Sequence, residues 1–445
     1  MSIKKKLDKG FLPTPFSIAV LLTFLTFFLA FFFTKSKGEG NQLLQIFSFW
    51  EQGIWNSQLL VFAMQMMLML VLGHTLALSG AVNKLILTAV KSCNSTSKSA
   101  AIVTFFTVLV SLFNWGLGLI FGAIFARKVG EYASSNNINL NYPLIGASGY
   151  SGLMVWHGGI SGSAPIKIAE SGHFLADKIG VISQELTIFS NMNISINITL
   201  LVILPSLMYI IGKKKTGKKV SIISDIKNEK KIPLGLENNL DNSKLLAWTF
   251  GGSIIIYAFY KAIVIPDIIS LKVINPNYIN LILLALGIIL HGNFIKFLRA
   301  IDSAIVGASG ILIQFPLYFG IMGIINQTGM ALIMSEYFVS ISNEITFPIY
   351  TFISAGILNI FVPSGGGQWA VQGPIIIEAA TQLGVSIPKS IMALVYGDQL
   401  TNMLQPFWAL PLLGITGLKA KEILPYTLIL FVTGFIIFVL GLLIF

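Results

Sequence analysis

Charge is what this chain has least of. Asp, Glu, Lys and Arg make up 11% of its 445 residues, against roughly 25% in soluble domains. With a hydrophobic share of 55% and a mean hydropathy of +0.81, that scarcity excludes a soluble globular protein and points to an integral membrane protein. Cysteine is nearly absent as well. The single Cys93, in "KSCNSTSK", excludes an internal disulfide and a cysteine-based metal site, and reads as a free thiol near the cytoplasmic face. No HExxH, P-loop or GxSxG stretch occurs, and no His or carboxylate pair stands at metal-ligand spacing. Those absences argue against an enzyme and against a resident cofactor. Without a nucleotide-binding domain, transport would be secondary and not ATP-driven. The apolar runs do not alternate with polar residues, which excludes a barrel and leaves helices as the spanning form.

The 29 basic residues outnumber 18 acidic ones, for a net charge of +11. They do not describe a nucleic-acid binder, because they cluster in short loops between apolar runs, where Lys and Arg set orientation in the bilayer. The N-terminal "MSIKKKLDKG", followed by "FSIAVLLTFLTFFLAFFF", resembles a signal sequence. Its apolar run is long, rich in Phe and without a small-residue cleavage site, so it is read as a retained first span.

Runs of spanning length fall near 17–34, 57–80, 143–171, 186–211, 246–265, 278–292, 303–326, 391–414 and 425–445. Two further regions, 99–127 and 347–383, have membrane length in total but break in the middle, at "NWG" and at "PSGGGQW". A straight span with such a break would leave backbone groups unpaired in lipid, whereas a re-entrant hairpin buries the break as a tip. With the N-terminus cytoplasmic and both regions counted as hairpins, the segments 4–9, 84–128, 213–244, 296–299 and 419–421 are all cytoplasmic. They hold 22 of the 29 Lys and Arg residues. Counting 99–127 as a crossing would instead flip the lysine-rich "KKKTGKK" segment outward, against the positive-inside rule.

The two halves follow the same order of features. A hairpin is followed by a Pro (Pro143, Pro388), a Tyr (Tyr150, Tyr396), a polar break and a second Pro (Pro165, Pro406). The expected fold is an all-α polytopic membrane protein: an inverted-repeat secondary transporter with about nine spans, two re-entrant hairpins and two broken helices. The first half covers 1–211, with hairpin 99–127 and broken helix 143–171. A Lys-rich cytoplasmic linker covers 212–245, and the second half covers 246–445, with hairpin 347–383 and broken helix 391–414. Paired broken helices in such a repeat mark a site near the bilayer midplane.

Four polar breaks therefore carry the candidate site. Broken helices expose N–H groups that suit an anion and C=O groups that suit a cation. Gly365, Gly366 and Gly367 would present backbone N–H groups to a carboxylate, with Ser364, Gln368 and Trp369 beside them. At the other tip stand Asn114, Trp115 and Gly116, and in the first broken helix Ser151, Gly152, His157, Gly158, Gly159, Ser161 and Ser163. His157, ionisable at membrane depth, is a candidate to meet the substrate or carry a coupling proton; the alternative is a neutral His bonded to backbone beside Trp156. Asp398, Gln399, Thr401 and Asn402 form an oxygen-rich cluster suited to Na⁺; Asp398 would equally accept a proton or cap a half-helix. Trp115, Trp156, Trp369 and Trp408 fall one per break, as pocket lining or as packing. His74 is read as packing, and Glu378 as a residue that snorkels.

These stretches also carry a resemblance. "FAMQMMLMLVLGHTLA", "NWGLGLIFGAIFAR", "YSGLMVWHGGISGSAP", "VPSGGGQWAVQGP" and "YGDQLTNMLQPFWALPLLGITGLKA" look like the bacterial short-chain fatty acid transporter family, and the likeness runs over nearly the whole chain. It implies uptake of small monocarboxylates such as acetoacetate or butyrate, coupled to H⁺ or Na⁺, in the bacterial cytoplasmic membrane. It also implies kinship with citrate and dicarboxylate carriers, and from them an elevator-like motion and, by analogy, a homodimer. Those carriers place Ser-Asn-Thr at both hairpin tips; here the tips read Asn-Trp-Gly and Ser-Gly-Gly-Gly. The competing readings are a Na⁺/H⁺ antiporter of the same architecture, worked by Asp398 and His157, and a membrane enzyme on lipid or isoprenoid substrates. The enzyme would need an acid cluster or metal motif that the sequence does not contain.

Overall fold

The computed structural model describes residues 14–35, 40–81, 84, 88, 90–169, 171, 173, 175–214, 218–219, 240–264 and 276–445. The N-terminal lysines and most of the Lys-rich linker expected over 212–245 lie outside the described residues. The first helices are α1 (Pro15–Phe33), α2 (Gln42–Ile54) and α3 (Ser57–Leu78). The first hairpin follows as α4 (Thr96–Phe113) and α5 (Trp115–Ser135), and then α6 (Tyr142–Tyr150) and α7 (Ser163–Ile168) flank the first break. A long helix, α8 (Asn191–Lys214), closes the first half. After it come α9 (Lys244–Phe259), α10 (Pro276–His291), α11 (Phe294–Ile305), α12 (Ser309–Gln327) and α13 (Met330–Ser340). The second hairpin is α14 (Phe347–Phe361) and α15 (Gly365–Leu383). The second break lies between α16 (Ile387–Thr401) and α17 (Pro406–Thr416), and α18 (Ala420–Ile444) ends the chain.

Six of the described helices are long and apolar enough to cross a bilayer, or up to seven if α12 and α13, bent by 71° at their junction, form one span. The expected nine is thus not reached with straight helices. The runs over 143–171 and 391–414 are each split into two pieces too short to span alone. The span expected over 303–326 starts later, because residues 294–305 form the separate helix α11. The hairpin arms also extend past the expected 99–127, to 96–135.

Side chains cap these breaks. Asn114 ends α4 and starts α5, and its Oδ1 accepts the Leu117 N–H at 3.0 Å. Ser364 does the same for α15, accepting the Gly367 N–H at 3.3 Å. Each cap offsets one of the orphan donors of a helix start. Glycines then let the broken helices press on the hairpins. A Cβ on Gly149 of α6 would collide with the Gly122 carbonyl of α5, and one on Gly397 of α16 with the Phe352 carbonyl of α14. Both glycines are next to the Tyr residues that the sequence pairs between halves.

The feet of the first hairpin lie at one level, since the Asn141 N–H donates to Thr96 Oγ1 at 3.1 Å. Lys218–Lys219 pairs antiparallel with Asn139–Leu140, so the start of the lysine-rich segment lies at that level too. Lys128 and Arg127 bind Glu131 there, at 2.9 and 2.8 Å, and an Arg127 guanidinium N–H donates to the Ile415 carbonyl at the end of α17. Cys93, just before α4, has a buried thiol that is in no disulfide among the described residues. Burial pushes it up to about 11, so it stays protonated at neutral pH. From this level α8, with 24 residues, covers about 36 Å. Beside the loop that leads into its start, Lys178 Nζ lies 4.0 Å from Glu378 of the second hairpin.

The glycine contacts give a test of the packing. Gly149→Val and Gly397→Val should each destabilise the protein by at least about 1–3 kcal/mol through overpacking, read as a lower melting temperature in detergent. Gly252→Val, where an added Cβ meets nothing within 4 Å, should leave it unchanged.

Candidate functional site

The two breaks face each other and satisfy one another's backbone. His157 Nδ1 lies 2.5 Å from Asp398 Oδ2, and both side chains are essentially inaccessible, at 0% and 1%. His157 Nε2 accepts the Ala164 N–H at 3.1 Å. An accepting Nε2 carries no proton, so the imidazole is the Nδ1–H tautomer and donates to Asp398. Among the described residues, no donor reaches Asp398 Oδ1. A buried acid with one oxygen unpartnered among the described residues is a candidate functional group in a membrane protein.

Gln399 stands next to Asp398 and serves the other side. Its Oε1 accepts the N–H groups of both His157, at 3.0 Å, and Gly158, at 2.9 Å. The Gly158 carbonyl is met by the Asn193 amide of α8 at 2.8 Å, and Asn193 Oδ1 accepts the Tyr396 hydroxyl at 3.1 Å. The converse brace runs from the first half to the second. Tyr150 donates its hydroxyl to the Asn402 carbonyl at 2.7 Å, with the Gln405 carbonyl at 3.3 Å. Asn359, in the last turn of α14, gives its amide to the Asp398 carbonyl at 2.7 Å, to Thr401 Oγ1 at 3.0 Å and to Asn402 Oδ1 at 2.9 Å.

The hairpin tips complete the site. A Cβ on Gly365 would lie 2.6 Å from His157 Cε1 and 2.9 Å from the far ring edge of Trp156, so only glycine lets this tip sit on the pair. Gly366 is exposed, and a Cβ on it would meet only Ser163, at 3.8 Å; Ser161, Ser163, Ser364 and Gly367 are partly exposed beside it. At the first tip, the Trp115 N–H donates to Ser161 Oγ at 3.0 Å. Gly159 packs on the Leu112 carbonyl and Gly116 on the Met69 sulfur. Ser151 donates to the Ser148 carbonyl, and Gly152 packs on Ser111, so both belong to the seam between hairpin and break. Gln368 spends its amide within its own hairpin, on the Ala355 carbonyl and Gln372.

Three of the four candidate tryptophans converge. Trp115 lies 5.8 Å from Trp156 and 5.3 Å from Trp408, ring to ring, and Phe62 of α3 closes on Trp115 at 6.3 Å. Trp156 stacks on His157 at 4.5 Å. Trp369 is buried against Gly373 in its own hairpin. The site is therefore a buried polar pair, flanked by a helix start and by an aromatic wall. Among the described residues, no group of His, Cys, Asp and Glu is placed to hold a metal ion.

Comparison with known proteins gives this geometry a family. A family description, "Short chain fatty acid transporter", matches residues 3–445. The chain belongs to the short-chain fatty acid transporter family. Two curated relatives, described as candidate short-chain fatty acid transporters, are each 36% identical to it. The one from Escherichia coli (strain K12) aligns over 98% of this chain and 96% of its own. The one from Haemophilus influenzae (strain ATCC 51907 / DSM 11121 / KW20 / Rd) aligns over 97% and 96%. Among solved structures, the Alcanivorax borkumensis YdaH transporter covers 97% of this chain and 98% of its own, at a TM-score of 0.44 and 15% identity.

As a member of this family, the chain belongs with transporters, in keeping with its several helices able to cross a bilayer. Asn193, Asn359, Gln405 and Phe62 escape a reading of the sequence, although all four belong to this transporter's site. A signal for Asn359 existed: a lone amide inside the apolar run "GILNIF". The cluster of Asp398, Gln399, Thr401 and Asn402 is present, but the side-chain oxygens of the last three already accept hydrogen bonds. The reciprocal tyrosines can be tested. Tyr396→Phe should cost about 1–3 kcal/mol, because it leaves the buried Asn193 oxygen without its donor, and Tyr150→Phe about 0.5–1.5 kcal/mol, because the Asn402 carbonyl keeps the Gln405 N–H. Thermal unfolding of the purified variants would measure it, and melting curves equal to wild type would disprove the bracing.

Proposed function

We propose that this transporter is a secondary carrier that takes up small monocarboxylates, such as butyrate or acetoacetate, together with H⁺ or Na⁺. The observation that carries this reading is the buried His157–Asp398 pair under the Gly365 tip. An anion at that tip meets the N-terminus of α15, whose first-turn N–H groups have no intrahelical acceptor. A short acyl chain would lie on the wall of Trp115, Trp156 and Trp408. No Lys or Arg is bonded at this place among the described residues, which suits a monoanion better than citrate. A substrate anion next to a carboxylate would be strongly unfavourable, so in this reading a cation arrives with it. His157 Nε2 is occupied by the Ala164 N–H, which leaves Asp398 Oδ1 as the atom that takes the cation, and His157 as the group that orients it.

The geometry also supports an inverted repeat that moves as an elevator. The first hairpin has its feet at the level of Lys218–Lys219, and the second has Glu378 near the loop at the opposite end of α8. With the lysines cytoplasmic, the first hairpin enters from inside and the second from outside, in the bacterial inner membrane with the N-terminus cytoplasmic. The cross-braced breaks would travel as one body. An antiporter would use the same pair without the tip and the aromatic wall, so the organic-acid reading is preferred.

Proteoliposomes loaded with the purified protein decide it. Labelled butyrate should accumulate under an imposed pH or Na⁺ gradient and saturate; no saturable uptake of any acid of two to six carbons under either gradient would sink the idea. Asp398→Asn, which imitates the protonated acid, should abolish gradient-driven accumulation, by more than about 10-fold, while substrate exchange continues. Gly366→Val should lower uptake at least about 10-fold with normal membrane insertion, since its side chain would enter the space beside Ser163.

A further inference from the structure

The Gln399 amide is fixed in orientation by the backbone it serves. Its Oε1 accepts two N–H groups, from His157 and Gly158. A flipped amide would turn its NH₂ onto those two donors, so Nε2 must point away from them. Gln399 is fully buried, and its Nε2 has no acceptor among the described residues. A buried donor left unpaired costs about 1–3 kcal/mol. Trp156 carries a second such donor. Trp156 is 4% exposed, its Nε1–H likewise meets no acceptor, and its ring stacks on His157, the residue whose own N–H binds Gln399.

Gln399 stood among the oxygen ligands expected for Na⁺. Its chemistry here is the opposite. The one oxygen it has is saturated, and what it offers is N–H. Two unpaired N–H donors, one on the residue that caps the His157 backbone and one on the ring stacked on His157, offer the chemistry that complements a carboxylate. We infer that Gln399 Nε2 and Trp156 Nε1 donate to the carboxylate of the bound acid, and that Gln399 thereby ties substrate occupancy to the backbone of the first break. This rests on the monocarboxylate reading above. It assigns substrate contact to a residue on the second broken helix, one position from the cation-binding Asp398. Anion and cation would then be held by neighbouring side chains on one turn, which accounts for their obligatory joint binding.

Gln399→Glu separates the possibilities. Glu keeps an oxygen for the His157 and Gly158 N–H groups, so the break stays capped, but it replaces the outward donor with an acceptor. Binding is read on the purified protein by thermal shift, with butyrate and with its neutral isostere butyramide, whose NH₂ is itself a donor. The wild type should be stabilised by butyrate and not by butyramide. Gln399→Glu should bind butyrate at least about 10-fold more weakly and gain a response to butyramide. Trp156→Phe keeps the ring and loses the N–H, and should weaken butyrate several-fold without a response to butyramide. Unchanged butyrate binding by Gln399→Glu, or tighter Na⁺ binding with the acid response intact, would overturn the inference. A wild type that binds no acid of two to six carbons would instead overturn the monocarboxylate reading itself. Should Gln399→Glu fail to fold, Gln399→Met, which removes donor and acceptor together, gives the butyrate readout alone, and butyrate binding as tight as wild type would again refute the role of the amide.

Discussion

Everything at the centre of this protein depends on one constraint: backbone groups at membrane depth have no water to satisfy them. Two helices are interrupted there, at residues 151–162 and 402–405. Each interruption would be prohibitive alone. The solution is reciprocal, because side chains from one half complete the backbone of the other. Gln399 and the Tyr396–Asn193 pair serve the first break, and Tyr150 serves the second. The His157–Asp398 contact joins the two. The polar residues that make the breaks affordable are thus the ones that hold the halves together.

The same economy explains why the glycines fall where they do. Gly365 brings a hairpin tip down onto His157 and Trp156, a separation that any side chain would forbid. Gly149 and Gly397 bring the intact parts of the broken helices against hairpin backbone. Small residues at such crossings are how helices pack closely in a bilayer. Here they also set the depth at which polar groups meet.

The breaks themselves were legible from composition and order. "NWG", "PSGGGQW" and the paired Tyr and Pro positions announce interrupted helices, because Gly, Pro and amides are expensive in a straight span. Membrane character follows from the lack of charge, and the family from the same stretches that carry the breaks. The span count was less legible, since apolar length cannot distinguish a straight helix from two short ones, as in 143–171 and 391–414. The candidate residues were recognised as polar groups in the right places, but their roles were not. Thr401 and Asn402 look like free cation ligands until Asn359, forty residues away, takes up their oxygens. Trp369 looks equivalent to the other three tryptophans until its ring turns into its own hairpin.

By itself the sequence determined that this is a helical membrane protein of the short-chain fatty acid transporter family, with four interruptions in its helices. Hydropathy, glycine and proline placement and local motif spacing are properties of neighbouring residues, and they survive being read in one dimension. Only the tertiary structure decided which oxygen or N–H each side chain has left to offer. His157 and Asp398 are 241 residues apart, and Gln399 and Gly158 equally distant. A hydrogen-bond group's function depends on what already occupies it, and that is set by partners from the other half of the chain.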